Sequence, residues 1–190
     1  MNRSPNTPWI KAAFTDFGLA ALIAMLASSA QAQQPAGGRP NLLSNSSFEE
    51  GQAGWEFHSA HTRGATSVDS AEKRDGKSSI TIENSAGDDS FLKQTVVVKP
   101  KTRYRMTGYI KTKDVVGKGV GATISLEGGY EKTEVIAGSK GWTKVSFEFD
   151  SGAVDKIKIG PRLGHYSGPV MGKAWFDDLT LVELGASRKR

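Results

Sequence analysis

Two carboxylates, Asp177 and Asp178, stand side by side in the stretch GKAWFDDLTLVEL (residues 172–184). Trp, Phe, Leu, Val and Thr make this stretch strand material, and neighbouring residues on a strand point to opposite faces of the sheet. If both faces are covered, one carboxylate is buried, and a buried charge needs a compensating partner. Aromatic side chains are the second source of chemistry. Trp55, Tyr109, Tyr130, Trp142, Tyr166 and Trp175 offer flat apolar faces on which the axial C–H groups of a sugar ring can stack while its hydroxyls pair with polar neighbours. Trp142 opens a strand after a turn and Trp55 follows a glycine, so both read as lids on the core. Tyr109 is better placed, on a polar strand face between Arg105 and Lys111.

Other reactive residue types give less. His58 and His61 fall in a loop-like stretch with no acidic cluster beside them and read as surface histidines, not metal ligands. His165, in RLGHYSG (162–168), can line a ligand site. The sequence has no G-x-S-x-G elbow, no cysteine nucleophile and no H-E-x-x-H. A carboxylate pair for glycoside hydrolysis stays open because acidic residues are plentiful. DGKSS (75–79) ends like a phosphate loop, but Ala71 stands where the pattern needs glycine and a strand follows instead of a helix, so it reads as a tight turn. GKGVG (117–121) lacks the dinucleotide spacing and its βαβ setting.

The elements that position these residues are short and β-rich. Candidate strands are 79–83, 91–99, 103–112, 121–127, 133–136, 142–149, 155–160 and 175–184. Tyr104, Met106 and Ile110 share one face opposite Arg105, Thr107, Tyr109 and Lys111; Val145, Phe147 and Phe149 oppose Lys144, Ser146 and Glu148. Period-2 patterning with one polar face indicates antiparallel sheet packed on one side. No helical period follows residue 33, and turn signals separate the strands, so the fold class is all-β, a two-sheet antiparallel sandwich.

Residues 1–32 read as a signal peptide, with Arg3 and Lys11 before the apolar run 17–27 and the small-x-small pattern AQA at 30–32. That run is too short to span a bilayer comfortably. A secreted or periplasmic protein is expected, with no membrane span after cleavage. Residues 33–40 are a flexible leader, 41–185 one domain and 186–190 a basic tail. With no cysteine, an exported domain does without disulfides, and a metal would be a useful staple. The formal net charge is +5 and the pI about 9.4, with basic residues scattered, which argues against a nucleic-acid partner.

Four segments, in order, carry a resemblance. NLLSNSSFEEGQAGWEF (41–57), LKQTVVVKPKTRYRMTGYIKT (92–112), GWTKVSFEF (141–149) and GKAWFDDLTLVEL together resemble carbohydrate-binding modules of the family 4, 9, 16 and 22 type. The resemblance implies a jelly-roll β-sandwich of the galactose-binding-domain-like class. It also implies a structural calcium where the first and last strands meet, carried here by Glu49 and Asp178, with Asp177 nearby and the turn 75–77, Lys77 included, donating carbonyl oxygens. The resemblance makes Asp178 the buried carboxylate, its charge offset by that ion; backbone N–H groups at a bulge remain the alternative partner. Lys101 stands where such modules often have glycine, which suggests a slightly different turn.

The function this implies is an exported, non-catalytic module attached to a polysaccharide or cell-wall glycan, monomeric, alongside a glycoside hydrolase acting on the same glycan. Candidate sugar contacts are Arg105, Tyr109, Tyr130, His165, Tyr166 and Trp175. Two other readings stay open: a small glycan-active hydrolase or lyase on the same sandwich, and a cell-envelope interaction protein that has lost sugar binding.

Overall fold

A computed structural model describes residues 38–117, 120–165 and 169–187. The signal peptide, most of the leader, Tyr166 and the last three residues lie outside the described residues. Nine strands follow in order: β1 (Glu56–Ser59), β2 (Gly64–Asp69), β3 (Ser79–Asp88), β4 (Ser90–Val97), β5 (Thr102–Gly117), β6 (Ala122–Leu126), β7 (Gly138–Asp150), β8 (Lys156–Leu163) and β9 (Val170–Ala186). They form a four-stranded sheet, β1-β4-β8-β6, and a five-stranded sheet, β2-β3-β9-β5-β7. Every pairing is antiparallel, and there is no helix among the described residues. The all-β two-sheet sandwich is as the alternation predicts.

The alternating apolar residues fill the space between the sheets. Ile80, Ile82, Met106, Ile110 and Phe176 from one sheet and Leu92, Ile124, Ile159 and Leu163 from the other are buried in one cluster. Gly108 marks a point of close approach: a Cβ there would lie 2.4 Å from Leu179 Cδ2 and 2.6 Å from Ile124 Cδ1 across the sandwich. Burying such side chains contributes about 1.5–3 kcal/mol each. One polar tie also crosses the layers, where the Asn84 amide donates to the Leu163 carbonyl at 3.0 Å and accepts from Ser90 Oγ at 2.7 Å.

Three features depart from the sequence reading. Strands β1 and β2 had no signal, because EFHS and GATSVD are short sheet margins whose side chains are largely exposed; His58 therefore lies on a strand, not in a loop. Residues 133–136 form no strand of their own. They run beside β6 through isolated bridges, Ala122 to Ile136 and Ser125 to Lys132, and Thr133 turns its Oγ1 to the Ile124 N–H at 3.1 Å. Lys101 adopts φ +52°, the left-handed conformation a glycine takes most cheaply, so this turn keeps a glycine-like backbone.

The ends of the domain meet. The Leu42 N–H donates to the Leu181 carbonyl at 2.9 Å, and the Asn41 side chain accepts from the Leu181 N–H at 2.9 Å while donating to the Leu179 carbonyl at 3.0 Å. Asn45 gathers the following loop, donating to the carbonyls of Gly51 and Ala53 and accepting from the Glu50 N–H. Phe48 and Trp55 plug the core from that loop, their rings 5.3 Å apart.

Candidate functional site

The paired carboxylates sit on a β-bulge. Opposite β5, Thr107 pairs with Thr180 and Tyr109 with Asp177, so β9 has one residue too many between them, and Asp178 adopts φ +51°. The bulge turns Asp177 away from solvent, where its Oδ2 accepts the N–H of Arg74 at 2.8 Å and that of Asp75 at 3.4 Å, and its Oδ1 accepts that of Asp178 at 2.8 Å. Burial outweighs these bonds and pushes its carboxyl up to about 6. The buried carboxylate is thus Asp177, not the expected Asp178, because the bulge changes which of the two is turned under the 74–75 turn, and its partner is backbone N–H.

Asp178 is half-buried, and its carboxyl is raised first by burial and then by the negative charges of Asp75 and Glu49, against the pull of Arg74. Glu49 reaches the same junction, with both oxygens 2.9 Å from the Lys77 N–H. Gly76 makes room for it: at φ +64°, a Cβ there would fall 2.3 Å from Glu49 Oε1. The Leu179 N–H bonds the Ser46 carbonyl, and Ser78 Oγ the Phe48 carbonyl, which fixes the loop carrying Glu49 against β9. Among the described residues no three His, Cys, Asp or Glu side chains converge as a metal cage. A divalent cation fits the local excess of negative charge, but most of its oxygens would have to come from carbonyls.

The six candidate sugar contacts fall into separate places. Arg105, Tyr109 and Trp175 lie on the outer face of the five-stranded sheet, and each is engaged within the protein. Arg105 is held by Glu148 at 2.7 Å. The Arg74 guanidinium covers Tyr109, 4.6 Å from the ring centroid. Trp175 is buried, donates its indole N–H to Asp69 at 2.9 Å and lies near the ammonium groups of Lys111 and Lys173. Tyr130 and His165 come together elsewhere, stacked with centroids 6.4 Å apart. Tyr130 is 83% exposed and His165 is buried; burial, then Arg162, lowers the His165 pKa and favours the neutral ring. Tyr166, next in the chain, is outside the described residues.

His165 directly follows β8 and its neighbouring Gly164, and β8 leads to a polar array on the outer face of the four-stranded sheet. Cross-strand register places Phe91 of β4 opposite Arg162 of β8, and Arg162 opposite Thr123 of β6. Lys93 and Ser125 lie two residues further along on the same face. Arg162 forks onto Asp89, with Nε 2.6 Å from Oδ1, and its guanidinium lies 5.1 Å from the Phe91 centroid. Lys93 reaches Glu127 at 2.6 Å. Arg162 and Lys93 are only 5% and 8% exposed, and the hydroxyls of Thr123 and Ser125 are buried without a hydrogen-bond partner among the described residues. Buried polar groups of this density on one sheet face call for an explanation.

Of this array the sequence reading had only His165 and Tyr130. Its signal was the polar half of the alternation: Phe91, Lys93 and Thr95, then Thr123 and Ser125, then Lys158 and Arg162. Each set is ordinary alone, and only the strand order β4-β8-β6 makes one surface of them.

Residues 40–159 match the family described as "Carbohydrate binding domain". Among curated proteins, tRNA nuclease WapA of Bacillus subtilis (strain 168) is 30% identical over 158 residues, covering 74% of this chain and 7% of that protein. The tRNA3(Ser)-specific nuclease WapA of Bacillus spizizenii is 29% identical with the same coverage. The chain thus spans only a small part of the length of these relatives. Among solved structures, TmCBM61 in complex with beta-1,4-galactotriose superposes with a TM-score of 0.55 at 19% identity, covering 76% of this chain and 99% of that one. The CBM22-1 xylan-binding domain from Paenibacillus barcinonensis Xyn10C gives 0.52 at 16% identity, covering 80% and 100%. At these identities the likeness establishes the fold.

Proposed function

The chain belongs to the carbohydrate binding domain family, and on that premise we propose that it holds a polysaccharide against the outer face of its four-stranded sheet, as a non-catalytic module. The observation that carries this reading is the Arg162–Asp89 fork beside Phe91. A planar donor–acceptor pair matches vicinal sugar hydroxyls, and charge-assisted hydrogen bonds are the strong ones. Lys93 with Glu127 repeats the arrangement, and Tyr130 adds an exposed ring at the margin. Affinity electrophoresis in gels containing β-1,4-galactan, xylan or β-glucan tests it. Retardation by one of these, lost in Arg162→Ala and weakened in Tyr130→Ala, is expected; no retardation on any of them counts against the reading.

In the same reading the signal peptide directs export, placing the protein in the periplasm or outside the cell, with a glycoside hydrolase as a partner on the same glycan. A processed N-terminus at Gln33 is the expected outcome of sequencing the exported protein. Calcium belongs to this reading as a structural ion. Glu49, Asp178 and the Lys77 carbonyl would hold it, beside an Asp177 already satisfied by N–H groups. When bound, it would neutralise the charge that raises the Asp178 carboxyl.

A further inference from the structure

The outer face of the five-stranded sheet carries a feature that stability alone does not favour. Lys113 of β5 and Lys173 of β9 are direct cross-strand partners, and like charges so placed repel. Two residues along β5, on the same face, Lys111 pairs with Trp175; two further, Tyr109 is flanked by Lys144 of β7 and capped by the Arg74 guanidinium. The cations therefore form a strip along β5, with successive positions about 7 Å apart at the rise of an extended strand. Its internal neutralisation is partial. Glu72 meets Lys111 at 2.5 Å and Glu83 meets Lys173 at 3.6 Å. Lys113 and Lys144 are exposed and make no ion pair among the described residues.

Glu83 and the Trp175 ring compensate Lys173, but Lys113 and Lys144 gain no ion pair among the described residues, and a local rule broken without such a gain points to function. We propose that this strip is a second binding surface, on the opposite side of the sandwich from the proposed glycan face, and that it takes an acidic, carboxylate-bearing polysaccharide. The two aromatic rings of the strip decide between polyanions. Trp175 is buried beside Lys111 and Lys173, and Tyr109 lies under Arg74, so neither offers the bare face on which an unpaired base stacks. Ammonium groups pairing with regularly spaced carboxylates need no such face. The two sheets then differ in kind. On the four-stranded sheet Arg162, Lys93 and Lys158 are matched by Asp89, Glu127 and Glu56, whereas this strip keeps unmatched positive charge. A molecule with both faces occupied would bridge two different polymers.

The experiment is affinity electrophoresis of the full-length exported protein in gels containing polygalacturonate, with β-1,4-galactan and single-stranded poly(dT) run in parallel. Retardation by polygalacturonate that fades as salt rises to about 0.5 M, where the Debye length is only a few ångströms, is expected. In Lys113→Gln/Lys144→Gln the retardation should weaken roughly tenfold, with neutral-glycan binding unchanged. Lys173→Gln should weaken it too; relief of the repulsion and loss of the Glu83 and Trp175 contacts act on its stability in opposite senses, and an unchanged far-ultraviolet circular dichroism spectrum at the assay temperature separates lost binding from lost fold. Absence of retardation, or equal retardation of the lysine variants, overturns the proposal. Stronger retardation by poly(dT) than by polygalacturonate overturns the assignment to a polysaccharide. Apart from the neutral-glycan control, none of these outcomes depends on whether the four-stranded face binds a glycan.

Discussion

Asp177 takes the backbone N–H of Arg74 at 2.8 Å across 103 positions of sequence. That bond, with the Arg74 guanidinium over Tyr109 and Lys111 on Glu72, fastens the turn between β2 and β3 onto the outer face of the five-stranded sheet. Glu49 rests on the far end of that turn at Lys77, so the first loop of the domain, this turn and the last strand form one joint.

The joint predicts an unusual dependence on pH. Burial holds the Asp177 carboxyl at about 6, above its ordinary 3.8, and Asp178 is shifted the same way. The folded state therefore binds the Asp177 proton more tightly than the unfolded chain does. Its contribution is fully present below the unfolded value and is lost as pH rises through about 6. Buried His165, whose pKa is lowered, works against this trend as pH falls below its ordinary 6.5, so the test is a difference: in chelator, the melting temperature of the parent protein relative to Asp177→Asn should be higher at pH 5 than at pH 7. A tenfold difference in proton affinity between the two states corresponds to about 1.4 kcal/mol. Asp88 acts in the opposite sense: hydrogen bonds from Ser59, Arg63, His61 and Asp89 outweigh its burial and hold its carboxyl well below the ordinary range. Its contribution is lost as pH falls below about 4, so the curve should turn down there. A difference between the parent and Asp177→Asn that stays flat from pH 7 to 5 would contradict the buried state of Asp177.

Calcium should reverse the first trend. An ion held by Glu49 and Asp178 favours their ionised forms, so its effect on melting should be larger at pH 7 than at pH 5. At a concentration about a hundredfold above its dissociation constant it should add about 2.7 kcal/mol. Asp178→Gly suits the left-handed backbone at this position and removes the carboxylate. It should abolish the calcium response without lowering the melting temperature in chelator. An unchanged response to calcium in this variant would exclude Asp178 as a ligand.

Thr123→Val tests a buried hydroxyl with nearly constant shape. The Thr123 hydroxyl is buried without a partner among the described residues, and such a group costs about 1–3 kcal/mol. The substitution should raise stability by about 1 kcal/mol in denaturant titration. A loss of stability would mean that the hydroxyl is paired in solution.

Lys101→Gly should stabilise the protein modestly. Lys101 carries φ +52° in the turn before β5, a conformation costing a non-glycine residue about 1 kcal/mol, partly offset by the greater freedom of glycine in the unfolded chain. A rise of a few tenths of a kcal/mol in the free energy of unfolding is expected; a loss of more than about 1 kcal/mol would mean that the lysine side chain contributes contacts of its own.

Much of the architecture was legible from alternation. Tyr104, Met106 and Ile110, and Val145 and Phe149, are buried as their period-2 spacing requires. Asn41, Asn45, Phe48, Glu49 and Trp55 were readable as a set, and each has an identifiable job in tying the first loop to the rest of the domain. The margins β1 and β2 were not legible, because their side chains are mostly exposed and little hydrophobic pattern is left to read.

The sequence by itself determined the fold class, the bulk of the strands and the fact that one of two adjacent carboxylates had to be buried. It did so because alternation and turn chemistry are local, written within a few residues of the position they govern. Only the tertiary structure decided that N–H groups 102 and 103 positions away would satisfy Asp177, that Tyr109 and Trp175 would lie beneath cations, and that Phe91, Arg162 and Thr123 would share a surface. Those outcomes depend on which strands become neighbours, and strand order follows from burying all the apolar faces at once, a condition on the whole chain that no short stretch contains.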